Sequence, residues 1–298
     1  MAATVRSGVG RLLIVLMIVG GGVLVAAPPA TGSFPGQNGK IVYFTDAGAM
    51  TDTDLWQMKP NGDDQEVLLS DNLDNVDPQF SPNGKRIVFT HVDSIWVVNA
   101  NGNNSHQISP NASEDPVWVK NDRIVFSRGG ELMIRKADGS GTPRFLLRKE
   151  TQNEEEEPDW SPVTNRIAFM STAFGEQAEV FTVKLDGTKK RRLTNNNTYD
   201  GDPDWHPKLP KMSYTCRPVP YDVCAMKASG ENKVALTNTI LDSESEASWS
   251  PNGAFLVYER LTDGETDTDI WRMKANGENQ NDLTVNDYDD DNPDWQAL

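Results

Sequence analysis

The chain has 298 residues, 44 acidic against 28 basic side chains, a formal charge of -16 and two cysteines. An acidic excess of this kind repels phosphate backbones, and no basic stripe that would displace their counterions shows in the sequence, which argues against nucleic-acid binding. Length alone allows one large domain or two ordinary ones.

Residues 1–33 read as a secretory signal. Arg6 and Arg11 precede the apolar run 12–19, glycines 20–22, a second apolar stretch to Ala27 and a zone of small residues. A cut between Ala26 and Ser33 is expected, best placed after Ala30-Thr31-Gly32. Its loss removes two arginines and no acid and takes the charge to -18. Left uncleaved, the segment would be a membrane anchor, although the glycines make it short for a span. No cysteine lies near the cut to carry a lipid.

From Phe34 onward the chain repeats. The anchors Phe34, Phe80, Trp118, Trp160, Trp205, Trp249 and Trp295 stand 46, 38, 42, 45, 44 and 46 residues apart. A period in the low forties is that of propeller blades built from four strands. The repeats run to the C-terminus without a break in composition, so residues 34–298 are expected to be one domain.

Each repeat resolves into four short segments bounded by turn residues, a strand pattern rather than a helical one. The first carries the anchor, commonly followed by Ser-Pro, as in Trp249-Ser250-Pro251-Asn252-Gly253. The second is β-rich, as in Ile41-Val42-Tyr43-Phe44 and Ile87-Val88-Phe89. The third reads Asp54-Leu55-Trp56-Gln57-Met58 and Asp269-Ile270-Trp271-Arg272-Met273 in its fullest copies. The fourth, such as Asp282-Leu283-Thr284, is weak, as suits an outer edge. Asn61-Gly62, Asp186-Gly187 and Asn276-Gly277 mark hairpins between third and fourth strands, so these glycines carry no phosphate-binding message.

The first repeat lacks its first strand, whereas the chain ends on Asn292-Pro293-Asp294-Trp295-Gln296, a first strand with nothing after it. Joining the two closes the ring and removes the open sheet edges, which gives an all-β, six-bladed propeller.

Cys216 and Cys224 have seven residues between them and follow an export signal, which favours a disulfide worth about 2.5 kcal/mol on the chain-entropy model. Two buried thiols are the alternative. Cys224 takes the place held by Trp56, Trp96, Phe181 and Trp271 in other repeats.

The ordered recurrence of Trp-Ser-Pro-Asn-Gly, Asp-Ile-Trp-x-Met and Leu-Thr resembles the TolB-like, WD40-like (PD40) propeller repeat family over residues 34–298. The family's namesake has an additional α/β domain before its propeller, for which this sequence offers no counterpart. Prolyl-oligopeptidase-type enzymes follow their propeller with a hydrolase domain, and no Gly-x-Ser-x-Gly elbow occurs here.

One constellation could carry chemistry. Asp77, Asp115, Glu157, Asp202 and Glu246 each stand three residues before an anchor, with Asn292 in the sixth place. Equivalent positions on six innermost strands ring the channel mouth, where like charges repel unless a cation intervenes, and calcium suits oxygen ligands of this kind. The alternative is that each acid caps a local turn by accepting nearby backbone N–H groups. His91, His106 and His206 fall at different repeat positions without ligand spacing, so no zinc site is expected. These features point to a monomeric, secreted or envelope-associated, non-enzymatic scaffold. Its channel face would engage a protein or cell-envelope ligand, and it would meet a membrane only through an uncleaved leader. An extracytoplasmic carbohydrate-active enzyme using the acidic mouth is the second reading.

Overall fold

The computed structural model describes residues 34–47, 52–110, 112–148, 153–172, 177–217 and 219–298, so the expected leader lies outside the described residues. It consists of six four-stranded antiparallel sheets. Five are built in chain order, and the sixth places Asp290–Ala297 innermost, beside Asn38–Thr45. The register of that seam pairs Ile41 with Trp295 and Val42 with Asp294, which closes the ring as a composite blade.

The middle strands show why their sequence reads as continuous apolar runs rather than as clean alternation. Ile87, Val88 and Phe89 are all buried, because each blade is covered on both faces by its neighbours. The anchors Phe80, Trp118, Trp160, Trp205, Trp249 and Trp295 are buried too, and Trp118 and Trp160 join strands of adjacent blades in one apolar cluster.

The outer strands shrink to two residues in the last three blades, Arg191–Arg192, Val234–Ala235 and Asn281–Asp282. A side chain replaces the missing ladder bond. Thr194, Thr237 and Thr284 present Oγ1 to the third-strand N–H of Val180, Val223 and Ile270, at 2.9, 2.9 and 2.8 Å. The recurrent Leu-Thr element is therefore a strand stop, with the hydroxyl standing in for a backbone carbonyl.

At the hairpins between third and fourth strands the glycine also sets blade spacing. Gly277 has φ +87°, and a Cβ there would lie 2.2 Å from the carbonyl oxygen of Leu236 on the preceding blade. Gly277→Ala is expected to lower stability by about 1–3 kcal/mol in urea denaturation. An unchanged midpoint would mean that the blades can move apart without cost.

Candidate functional site: the acidic channel

The innermost strand of every blade is irregular at the same place. Val76 pairs with Thr90 and Gln79 with Val88, so Asp77 and Pro78 bulge opposite Phe89 alone. Equivalent register shifts occur in the other five blades. The first bulged residue is in the left-handed region each time: φ is 51° at Asp77, 49° at Asp115, 51° at Glu157, 48° at Asp202, 49° at Glu246 and 46° at Asn292. Asp and Asn tolerate this conformation better than most residues, but Glu does not share that advantage, and its recurrence marks a constraint set by the ring.

A proline follows in five blades, at 78, 116, 158, 203 and 293, with Ala247 in the sixth. Proline cannot donate to a ladder and is confined to sheet edges, and these strands have an edge that faces the channel. Acid-Pro before an aromatic anchor was thus a channel signal that the repeat pattern alone did not reveal.

The six bulged residues are half-buried and line one cavity of about 320 Å³ on the propeller axis. Three side-chain bonds link them around the ring. Asp115 Oδ2 accepts the N–H of Glu157 at 3.2 Å, and Glu157 Oε2 accepts the N–H of Asp202 at 2.8 Å. Asn292 Nδ2 donates to Asp77 Oδ1 at 3.3 Å, so the amide serves as the neutral link. Each of these three bonds spans a blade boundary instead of capping a local turn, while Asp202 Oδ1 accepts the hydroxyl of nearby Tyr199 at 3.2 Å.

Crowding of carboxyls in a shielded space disfavours their charged forms. Burial, then the Thr90, Glu114 and Asp115 environment, leaves Asp77 at about 6. Burial first and the facing carboxylate second hold Asp115, Glu157 and Glu246 well above the usual range, the facing group being Asp77 for the first and Asp202 for the other two. Glu157, Asp202 and Glu246 can each bring one carboxylate oxygen to within 4.8 Å of the others. Of the five acids in the expected ring, these three have carboxylate oxygens within that distance of one another, and Asp77 and Asp115 line the same cavity.

A second tier, one residue before four of the anchors, escaped the sequence reading. Asp159 Oδ2, Asp204 Oδ1 and Asp294 Oδ2 accept the N–H of Trp205, Trp249 and Phe80, at 2.7, 2.9 and 2.8 Å, and Gln79 Oε1 accepts that of Trp118 at 2.8 Å. These four side chains tie four inner strands to the next ones around the ring and line the same cavity. Burial raises Asp159 and Asp294 to about 7. Asp159 Oδ1 is buried with no hydrogen-bond partner. Glu259 also lies near the mouth, accepting from Ser245 Oγ at 2.6 Å.

The histidines stay apart from the channel lining. His206 Nδ1 accepts the N–H groups of Lys208 and Leu209 at 3.0 and 3.1 Å, and burial lowers its pKa to about 4, so it is a neutral turn brace. Cys216 and Cys224 are joined as a disulfide between adjacent strands of one blade, with Cα atoms 5.9 Å apart.

The TolB beta propeller domain model, PD40, matches residues 123–298. No curated protein matches the sequence. Among solved structures, TolB from Acinetobacter baumannii superposes with TM-score 0.73 at 18% identity, over 87% of this chain and 67% of that one. A nidogen/laminin complex gives TM-score 0.66 at 14% identity over 87% and 98% of the two chains. An oligogalacturonate lyase in complex with manganese gives 0.55 at 13% identity over 84% and 74%. The repeat elements, the six closed blades and a match over more than half of its length make this chain a member of the TolB beta propeller domain family.

Proposed function

We propose that the protein is a non-enzymatic, extracytoplasmic scaffold that captures a protein or cell-envelope ligand at the acidic mouth of its channel. The observation that carries this reading is the ring itself: carboxyls on successive blades, bracketed to one another and crowded around one axial cavity. Such a site favours a cationic group that relieves their repulsion, whether a lysine or arginine of a partner or a metal ion. Ligand-bearing neighbours with this fold, one recorded in a nidogen/laminin complex, support the scaffold reading by analogy of fold alone. Affinity capture from envelope extracts with the wild type and with Glu157→Gln/Glu246→Gln tests it. A stoichiometric partner retained by the wild type and lost by the variant is expected, and a partner set indifferent to the substitutions sinks the reading.

Within that mouth, Glu157, Asp202 and Glu246 are the proposed holders of a divalent cation. Two oxygens bound to one calcium at about 2.4 Å can be no more than about 4.8 Å apart, the separation limit these three carboxylates meet. The unpartnered Oδ1 of Asp159, in the wall of the same cavity, is a further oxygen lacking a donor. Calcium at a hundredfold excess over its dissociation constant is expected to add about 2.7 kcal/mol to stability by mass action. Equal melting temperatures in millimolar calcium and in excess chelator, with no heat on titration, would remove the cation from the proposal.

The enzyme reading retains one specific support, the shared fold with an oligogalacturonate lyase. Turnover of a polysaccharide panel, abolished by a single acid-to-amide change in the ring, would replace the scaffold reading with it.

A further inference from the structure

The formal charge of -16 conceals a strong polarity. In each antiparallel blade the turn joining first to second strand and the turn joining third to fourth lie at one end. All blades point the same way around the ring, so these turns build one face of the disc, and the remaining connections build the other.

The bases collect on the first of these faces. The second strand opens on a base in four blades, at Arg86, Arg123, Arg166 and Lys211, and carries Lys40 as its third residue in a fifth. The third strand closes on Lys136, Lys184, Lys227 and Lys274 in four, with Lys59 one residue beyond it in a fifth. Some acids of this face are already paired, Asp64 with Lys59 and Asp122 with Arg86. The opposite face carries the acidic loops, among them residues 287–291, and the channel mouth. In the sequence these bases appear only as separated groups, the densest at 184–192; only the ring brings them together on one face.

Two further observations say what this face meets. Two exposed aliphatic side chains stand on its turns: Val163, three residues before Arg166, is 45% exposed, and Leu209, between Lys208 and Lys211, is 49% exposed. The chain also enters the fold here. Gly36 donates its N–H to Pro251 O at 3.2 Å, beside Asn252, whose carbonyl accepts from Lys208 Nζ at 3.2 Å. In the uncleaved chain, the segment that precedes this entry holds Arg6, Arg11 and the apolar run 12–19.

We propose that the basic face is a docking surface for an anionic lipid bilayer, with Lys184, Lys189, Lys208 and Lys227 facing headgroups and Val163 and Leu209 entering the interface. All four lysines are exposed. Aliphatic tips flanked by lysines suit this boundary, where apolar atoms leave water while the ammonium groups stay among phosphates. The acidic half does not cancel the attraction. A six-residue strand spans about 20 Å, more than twice the Debye length of about 8 Å in physiological salt, so the membrane senses the near face. The channel mouth would then point away from the bilayer. The inference is independent of the ligand proposed for that mouth.

Flotation of the full chain with vesicles of phosphatidylcholine alone, or with one-third phosphatidylglycerol, tests this directly. Binding to the neutral vesicles measures what the N-terminal segment contributes by itself. The wild type is expected to favour the anionic vesicles by roughly tenfold or more at low salt, and to lose that preference at half-molar salt. Lys184→Glu/Lys227→Glu and the quadruple variant that adds Lys189→Glu and Lys208→Glu are expected to abolish it with melting temperatures unchanged. Leu209→Ser should weaken binding to the anionic vesicles and leave neutral-vesicle binding unchanged. Equal binding of the wild type to both vesicles overturns the proposal, as does a preference that survives in the quadruple variant, which would assign it to Arg6 and Arg11. Tight binding to heparin without any vesicle preference overturns the lipid assignment in favour of a soluble polyanion.

Discussion

Deleting residues 291–298 is expected to abolish cooperative folding or to leave a protein that aggregates well below the wild-type melting temperature. The deletion removes most of the innermost strand of the composite blade and with it the pairing of Trp295 and Asp294 with Ile41 and Val42. Trp295 is buried, and cutting a buried tryptophan back to alanine typically costs about 3–5 kcal/mol before any backbone bonds are counted. The bonds from Phe80 N–H to Asp294 and between Gln37 and Leu298 go with it. Together these losses approach the entire stability of an ordinary domain, about 5–15 kcal/mol. They also leave Asn38–Thr45 as an open edge, a template for pairing with another chain. Trp295→Ala is the milder test and should cost about 3–5 kcal/mol while preserving the strand. A truncated chain that melts with the wild type would show that the ring does not depend on this seam.

Stability is expected to rise as pH falls from about 8 to about 5, the reverse of the behaviour of proteins held by ionised carboxylates. Burial raises Asp159, Asp294 and Asp269 to about 7 and Asp200 and Asp290 to about 6. A carboxyl with a raised folded pKa binds its proton more tightly in the native state. Its contribution is fully present below the unfolded value of about 4 and is lost as pH climbs through the folded value. The loss is therefore spread between about pH 4 and about pH 7. His206 acts in the opposite sense. Its folded pKa of about 4 means that protons favour the unfolded chain below about pH 6.5, so it trims the acid-side gain without reversing it. Because several of these groups are partly exposed, solvent screening reduces the effect, and a melting temperature higher by about 5–10 °C at pH 5 than at pH 8 is the expected size. Asp159→Asn/Asp294→Asn, which fixes two of the groups in an uncharged form, should flatten the profile. A melting temperature that climbs steadily from pH 5 to pH 8 would contradict the crowded-carboxyl account of the channel.

Much of the architecture was legible before any coordinates. The anchors are large apolar residues at a fixed period, the hairpins carry glycine where a left-handed backbone is needed, and Trp295 ends a chain whose first repeat lacks such a strand. These are local signals, set by side-chain volume and backbone sterics, and they survive in a linear reading. The acids before each anchor were legible as a periodic set, but not in their role. Whether Asp115 caps its own turn or grips Glu157 depends on a bulge that turns the side chain across a blade boundary, and nothing adjacent in the sequence encodes that distance. The gathering of Glu157, Asp202 and Glu246 likewise depends on where closure places three blades around the axis.

Charge shows the division most clearly. By itself the sequence determined a repetitive, acidic, all-β chain able to close on itself, because period, turn chemistry and apolar patterning are properties of neighbouring residues. Only the tertiary structure decided that the acids face the channel mouth while Lys184, Lys208 and Lys227 share the opposite face. The physical reason is that a net charge is a sum, whereas the field at a surface depends on which turns the ring brings within a Debye length of one another.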